Sequence, residues 1–211
     1  MNIVKKFKRK IRSISFLGGE LGNIDKERGM TYVELIVVLS IFSVMTSIIL
    51  FNYGQFQENV DIKILANDIA SKVVEAQDSA VSGVLNTSAP SGWKPQYGMY
   101  FDLSSNKTFT YFADTNSNSS YDPSVDPILD QITITKGNYI SGVDSFLGPA
   151  STPISSPLSI SFKRPDASAI FSSGGSILTG FDYIQVTVSS SGSNPVKAYI
   201  RVYPSGRIQV N

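Results

Sequence analysis

The most pronounced feature of the sequence is an uninterrupted apolar run near its N-terminus. Residues 35–51 contain no charged side chain, and Glu34 is the only acidic or basic residue among residues 30–51. About 20 helical residues, at ~1.5 Å each, are enough to cross a hydrocarbon core of ~30 Å. The pattern therefore predicts a membrane-spanning helix over residues 30–53.

A different apolar pattern follows this run. Between residues 61 and 83 apolar side chains recur every three or four positions, which is typical of a helix with one buried face. They are Ile62, Leu65, Ile69, Val73, Ala76 and Ala80. We expect an amphipathic extension over residues 54–85 that continues the first helix without a break and stops at Gly83.

From residue 86 onward the pattern changes to short β-rich runs separated by Ser, Gly, Asn and Pro. Candidate strands are residues 97–103, 108–113, 131–135, 158–162, 169–171, 183–189, 196–203 and 207–210. The last two form a predicted hairpin around Pro204-Ser205-Gly206, and residues 142–157 are predicted to be a surface loop. The expected fold class is α+β: a long N-terminal helix packed on an antiparallel β-sheet, or two, in a head of residues 86–211.

Charge separates residues 1–29 from the rest of the chain. This leader contains eight Lys or Arg and three acidic residues, a net charge of +5, whereas residues 30–211 contain 10 basic and 14 acidic residues, a net charge of −4. Basic residues before a membrane span favour the cytoplasmic side. We therefore expect a single-pass protein of the inner or cytoplasmic membrane, with its leader in the cytoplasm and its head outside.

The sequence contains no Cys and no His. Thiolate catalysis, cysteine-based zinc sites and histidine general bases are therefore excluded, which disfavours an enzyme. Two interpretations of the apolar segment remain open: an ordinary uncleaved anchor for a surface receptor or enzyme, and a segment processed before the apolar run. A secretory signal is disfavoured because no A-x-A-like site follows the run.

The residues that join the leader to the apolar run carry a family resemblance. Lys26-Glu27-Arg28-Gly29-Met30-Thr31-Tyr32-Val33-Glu34-Leu35 resembles the processing site of type IV prepilins and of type II secretion pseudopilins. The resemblance implies cleavage after Gly29 by a membrane prepilin peptidase and N-methylation of Met30. Family members usually begin the mature chain with Phe, so Met30 departs from the common pattern, as Tyr32 and Val33 do mildly.

Glu34 is unusual because an unpaired carboxylate near hydrocarbon costs several kcal/mol. The resemblance implies assembly roles for Thr31 and Glu34, with Glu34 meeting the N-terminal amine of Met30 on a neighbouring subunit. That amine exists only after cleavage, which would couple processing to assembly. The alternative is that Glu34 is hydrated at the membrane interface and has no pairing role.

Two further segments resemble a narrower group. Residues 64–70 and residues 112–116 look like the corresponding regions of H-type minor pseudopilins and FimT-like minor pilins. The resemblance implies a non-enzymatic filament subunit of a type IV pilus or a type II secretion-like system. Its expected partners are the prepilin peptidase, other pilin or pseudopilin subunits, the assembly machinery, and membrane lipid before assembly.

An aspartate-rich segment after the second candidate strand is a candidate cation site. Asp114, Asn116, Asn118, Ser120 and Asp122 place oxygen donors at the spacing of the first part of a calcium loop. The segment lacks that loop's Gly at position six and Glu at position twelve. The alternative is an Asn/Ser-rich surface turn, which the same residue types favour. Calcium is the only cofactor that the sequence suggests.

Other candidate sites are weaker. Asp122, Asp126 and Asp130 could form an acid/base pair, but nothing in their spacing requires them to converge. The aromatic residues between 93 and 112 could bind sugar or a partner, although aromatic residues in strands more often fill a core. Five basic residues could contact DNA phosphates, but they form a weak signal in an acidic mature chain; they are Lys163, Arg164, Lys197, Arg201 and Arg207.

Overall fold

The computed structural model describes residues 29–211, apart from Ser156, Ser193 and the side chain of Asn52. The predicted leader, except Gly29, therefore lies outside the described residues. Helix α1 runs without interruption from Tyr32 to Ser82. The expected continuity of the apolar and amphipathic helical segments is thus confirmed. The chain divides into two compact units, and the boundary between them in the sequence lies between Ser47 and Ile48.

The part of α1 in the first unit exposes its apolar side chains on all sides. Leu39 is 54% exposed and Phe42 is 66% exposed, and this helix is apolar and long enough to cross a membrane by length and composition. Its hydroxyl groups bond within the helix: Ser40 donates to the Val37 carbonyl, and Thr46 donates to the Phe42 carbonyl, both at 2.8 Å. The small polar residues are therefore compatible with an apolar environment.

The part of α1 in the second unit buries one stripe of side chains. Ile62, Ala66, Ile69, Val73, Ala76 and Ala80 are all 0% exposed and belong to one hydrophobic core with both sheets. The predicted stripe is confirmed, except that Leu65 is only partly buried and Ala66 takes the fully buried place. Each large side chain buried in this core stabilises the fold by roughly 1.5–3 kcal/mol.

The head contains two antiparallel sheets. Sheet A has the strand order β3-β2-β1-β6-β7-β8, and sheet B has the order β11-β10-β9-β4-β5. The strands are β1 Gln96–Phe101, β2 Thr108–Ala113, β3 Ile128–Thr133, β4 Tyr139–Leu147, β5 Ala150–Pro153, β6 Leu158–Lys163, β7 Asp166–Ser173, β8 Ser176–Ile177, β9 Tyr183–Ser189, β10 Lys197–Val202 and β11 Ile208–Val210. Together with α1 they confirm the expected α+β class.

Several strand predictions need correction. The segment 142–157 is not a surface loop, because most of it forms the end of β4 and all of β5, which pair as a hairpin. Leu103 lies in a short 3-10 helix, Leu103–Ser105, and not in β1. β3 begins at Ile128 instead of residue 131, and the two-residue strand β8 was not predicted. The C-terminal hairpin of β10 and β11 is confirmed.

The end of α1 depends on Gly83, as expected. Gly83 has φ +70°, a left-handed conformation that favours glycine, and its N–H donates to the Ala80 carbonyl at 3.2 Å. A Cβ at this position would overlap the guanidinium of Arg164. That guanidinium brings positive charge to the C-terminal end of the helix, where the last turn has no basic residue of its own.

Candidate functional site

Thr31 caps the start of α1. Its Oγ1 accepts the backbone N–H of Glu34 at 3.2 Å, one of the N–H groups that a helix start leaves without an intrahelical partner. Gly29 and Met30 precede the helix and are exposed. The family resemblance implies only an assembly role for Thr31, although the spacing Thr31-x-x-Glu34 is also the signature of a helix N-terminus. Thr31 therefore has a local structural role.

Glu34 lies in the first turn of α1, where a negative charge is favoured by the helix dipole. Its side chain is exposed, and within the described part of the chain no basic group lies within ion-pair distance of it. The pairing of Glu34 with the amine of a neighbouring Met30 stays a prediction, as do cleavage after Gly29 and methylation of Met30.

The aspartate-rich loop between β2 and β3 is organised by two buried carboxylates. Asp114 is 0% exposed, and its carboxylate accepts the N–H of Ser119 at 2.7 Å and that of Asn118 at 3.3 Å. Burial raises the pKa of Asp114 to about 6, although these N–H donors favour its charged form, and the nearby carboxylate of Asp126 raises the pKa further.

Asp126 closes the loop from its other end. One carboxylate oxygen accepts the backbone N–H of Thr115 at 2.8 Å and the hydroxyl of the same residue at 3.1 Å. The other oxygen accepts the N–H of Asp122 at 2.9 Å. The calcium-loop spacing in the sequence does not include Asp126. The carboxylate nevertheless joins the two ends of the loop.

The remaining predicted ligands form local turns. Asn116 and Asn118 are exposed, and each side-chain oxygen accepts the N–H two residues further on, at 3.1 and 2.8 Å. Asp122 accepts the N–H and the hydroxyl of Ser124, which lowers the pKa of Asp122. Within the described residues, no group of three or more acidic, Cys or His side chains is arranged to hold a metal. Calcium binding, which would involve Ser120 as well, stays a prediction.

The loop also covers the outer face of sheet A. The N–H of Tyr121 donates to the hydroxyl of Ser159 at 3.0 Å, and the hydroxyl of Ser172 donates to the Ser119 carbonyl at 2.7 Å. The Tyr121 ring lies 4.7 Å from the ring of Tyr100 and 5.1 Å from that of Phe112. Polar and aromatic side chains on this face of the sheet are thereby buried.

The other candidate residues are distributed over the head. Asp130 pairs with Lys72 of α1 at 3.2 Å, so it does not join Asp122 and Asp126 in one acid/base site. The aromatic residues Tyr97, Phe101 and Phe109 are buried in the core. Trp93 is only partly buried, and its indole N–H donates to the Asp114 carbonyl at 2.6 Å.

Comparisons with known proteins find similarity in structure but no match to a family model or to a curated protein. The solved structures that are similar to this chain include two of the minor pseudopilin EpsH from the Type 2 Secretion System of Vibrio cholerae. The first shares 15% identity over 72% of this chain and 96% of its own, with a TM-score of 0.39. The second shares 14% identity over 72% and 94%, with a TM-score of 0.38.

At such identities, similarity in structure does not transfer an activity, a partner or a substrate from one protein to another.

Proposed function

We propose that this chain is a structural subunit, a minor pilin or pseudopilin, of a type IV pilus or a type II secretion-like filament, without enzymatic activity. The observation that carries the proposal is the first part of α1. It is apolar on all sides, exposed in the single chain, and begins two residues after the Gly29-Met30 junction. Such a surface needs lipid or other apolar helices around it.

Processing is the first step in this proposal. The basic leader stays in the cytoplasm, the apolar helix lies in the membrane, and a prepilin peptidase cleaves after Gly29. Met30 then becomes the N-terminal residue and is methylated. After cleavage the helix leaves lipid and packs among other subunits in a filament on the outer side of the membrane.

Assembly would depend on Glu34 and the new amine of Met30. A carboxylate without a partner is costly in an apolar filament interior, and an amine from a neighbouring subunit removes that cost. An uncleaved subunit cannot offer the amine at this position. Processing and assembly are therefore coupled by one charge pair.

The N-terminus of the membrane-extracted chain tests the processing step. Mass spectrometry of protein from cells with the peptidase should show a chain that begins at methylated Met30, whereas cells without the peptidase should retain the leader. A chain that still begins at Met1 in peptidase-competent cells would contradict the proposal. That result would favour an uncleaved anchor for a surface receptor or enzyme.

The assembly step is tested by Glu34→Ala, with Glu75→Ala as the matched control. Glu75 is a carboxylate of the same helix that pairs with Lys72 at 2.9 Å in the second unit. Glu34→Ala should leave membrane insertion intact and reduce incorporation into sheared filaments by an order of magnitude or more, whereas Glu75→Ala should incorporate normally. Normal incorporation of Glu34→Ala would remove this residue from the mechanism.

A further inference from the structure

The outer face of sheet B carries a connected group of aromatic and arginine side chains, Phe146, Tyr183, Arg201, Tyr203 and Arg207, which we name the aromatic–arginine strip. The rings of Phe146 and Tyr183 stack at 4.9 Å, 12° from parallel, and those of Tyr183 and Tyr203 lie 5.3 Å apart. The guanidinium of Arg201 lies 5.0 Å from the centre of the Tyr183 ring. The guanidinium of Arg207 lies 3.8 Å from the centre of the Tyr203 ring.

The strip lies on the side of sheet B away from the core. In β9 and β10 the core residues are Ile184, Val186, Ile200 and Val202, so their neighbours along each strand point to the opposite face. Tyr183, Arg201 and Tyr203 are half-buried among their neighbours, and Arg207 is exposed. The strip is therefore accessible in the single chain.

Both guanidinium groups are oriented but lack an acidic partner. Arg201 donates through Nε to the side-chain oxygen of Gln185 at 3.0 Å, and stacking on tyrosine further restrains both arginines. Among the described residues, neither guanidinium lies within ion-pair distance of a carboxylate. Pre-oriented guanidinium groups bind carboxylates well because two N–H groups can donate to both oxygens and little side-chain freedom is lost.

The surrounding charges favour a ligand of low charge density. Asp144 lies directly opposite Gln185 in the sheet, and Asp182 precedes Tyr183 and accepts the N–H of Gly148 at 2.7 Å. Duplex DNA, with one charge per ~1.7 Å of its axis, would place phosphates close to these carboxylates. A polymer with one carboxylate on every sugar or every second sugar separates its charges more widely.

We propose that the aromatic–arginine strip binds an acidic polysaccharide of the uronic acid type. Carboxylates of the polymer pair with Arg201 and Arg207, and the apolar C–H faces of its sugar rings pack on the exposed part of the Phe146 ring, the face that does not stack on Tyr183. The hydroxyl of Tyr183 makes no hydrogen bond within the described residues and is free to bond a sugar hydroxyl. The proposal goes beyond the filament function and gives the head a ligand of its own.

The test uses the full chain in detergent micelles and measures affinity by calorimetry. The probe is a polygalacturonate oligomer, and three comparison probes each lack one feature: dextran has no carboxylate, poly-L-glutamate has no sugar ring, and oligothymidylate carries phosphates. The polygalacturonate oligomer should bind at least about tenfold more tightly than each of the others, and its affinity should fall as salt rises.

Arg201→Gln and Arg207→Gln should each weaken polygalacturonate binding by about tenfold or more, the effect of losing one charge-assisted contact. Lys197→Gln is the matched control, because it removes one exposed positive charge from the same strand as Arg201 without touching the strip. It should bind within about twofold of the original chain, and the unfolding midpoints of all three variants should agree.

Equal binding of poly-L-glutamate would overturn the assignment to sugar, and tighter binding of oligothymidylate would assign the strip to nucleic acid instead. Polygalacturonate that does not bind at millimolar concentration would overturn the proposal. The proposal would also be overturned if Lys197→Gln weakened polygalacturonate binding as much as Arg201→Gln and Arg207→Gln do. None of these results depends on leader cleavage or filament assembly, so a failure here is distinguishable from a failure of the proposed function.

Discussion

The two ends of helix α1 are both rich in apolar side chains, but these side chains have opposite environments. Near its start Phe42 is 66% exposed and Val44 is 61% exposed, with apolar neighbours on every side. Near its end Ile69 and Val73 are 0% exposed, while Ile64 on another side of the helix is 51% exposed. Spacing, more than hydrophobicity, decides whether an apolar residue is buried within its own chain.

The comparison also separates two kinds of stabilisation. The stripe near the end of α1 packs into a core that the chain itself supplies, so its contribution belongs to the folding of the head. The exposed apolar surface near the start adds nothing to that core, and its favourable burial requires lipid or neighbouring helices. The two ends of α1 are therefore expected to respond to different experiments.

The largest expected effect comes from shortening a buried side chain of the stripe. Ile69→Ala should lower the free energy of unfolding by roughly 2–5 kcal/mol, because it removes buried methyl groups and leaves a cavity. The exposed Ile64→Ala is the matched control and should change it by less than about 1 kcal/mol. Trp93 is the only tryptophan of the chain, and its fluorescence during denaturant unfolding in detergent reports both values. Equal effects would contradict the assignment of the buried stripe.

The sequence predicts these helical features well because they depend on local spacing. The apolar run, the stripe and the stop at Gly83 each depend on side chains a few positions apart. β2 and β9 match their predicted bounds, Thr108–Ala113 and Tyr183–Ser189. In β9, apolar and polar residues alternate without interruption.

The features that the sequence does not predict depend on contacts between residues that lie far apart in the sequence. β4 pairs with β9 about 40 residues away, and its register shifts between Ile140 and Gly142, which interrupts the alternation that would identify it. The path of the aspartate-rich loop depends on Ser159 and Ser172, far from it in sequence. Composition alone indicated a turn or a calcium loop there, but not that the segment covers sheet A.

A charged substitution near the start of α1 tests whether this part of the helix lies in the membrane. Val44→Asp should raise the free energy of membrane insertion by about 2.5–3.5 kcal/mol, the cost of an aspartate near the centre of a membrane helix. It should leave the unfolding of the head unchanged. Val81→Asp is the matched control, because Val81 is 39% exposed near the other end of α1. A translocation assay measures insertion, and equal insertion of the two variants would contradict the membrane assignment.

The smallest expected effect concerns the first turn of α1. Thr31→Ala removes the hydroxyl oxygen that accepts the N–H of Glu34 at 3.2 Å and should destabilise this turn by about 1 kcal/mol. Hydrogen exchange of the Glu34 amide should then become about fivefold faster, because 1 kcal/mol corresponds to a factor of about 5 in a local opening equilibrium.

Two further variants isolate the cap. Thr31→Ser retains the acceptor oxygen and should restore slow exchange. Thr46→Ala removes a hydroxyl that donates to the Phe42 carbonyl, far from Glu34 in the helix, and should leave the exchange at Glu34 unchanged. If Thr31→Ala lowers filament incorporation while Thr31→Ser restores it together with slow exchange, Thr31 acts in assembly by holding the first turn and Glu34 in a helical conformation. Lost incorporation without faster exchange would instead indicate that the hydroxyl of Thr31 contacts a neighbouring subunit directly.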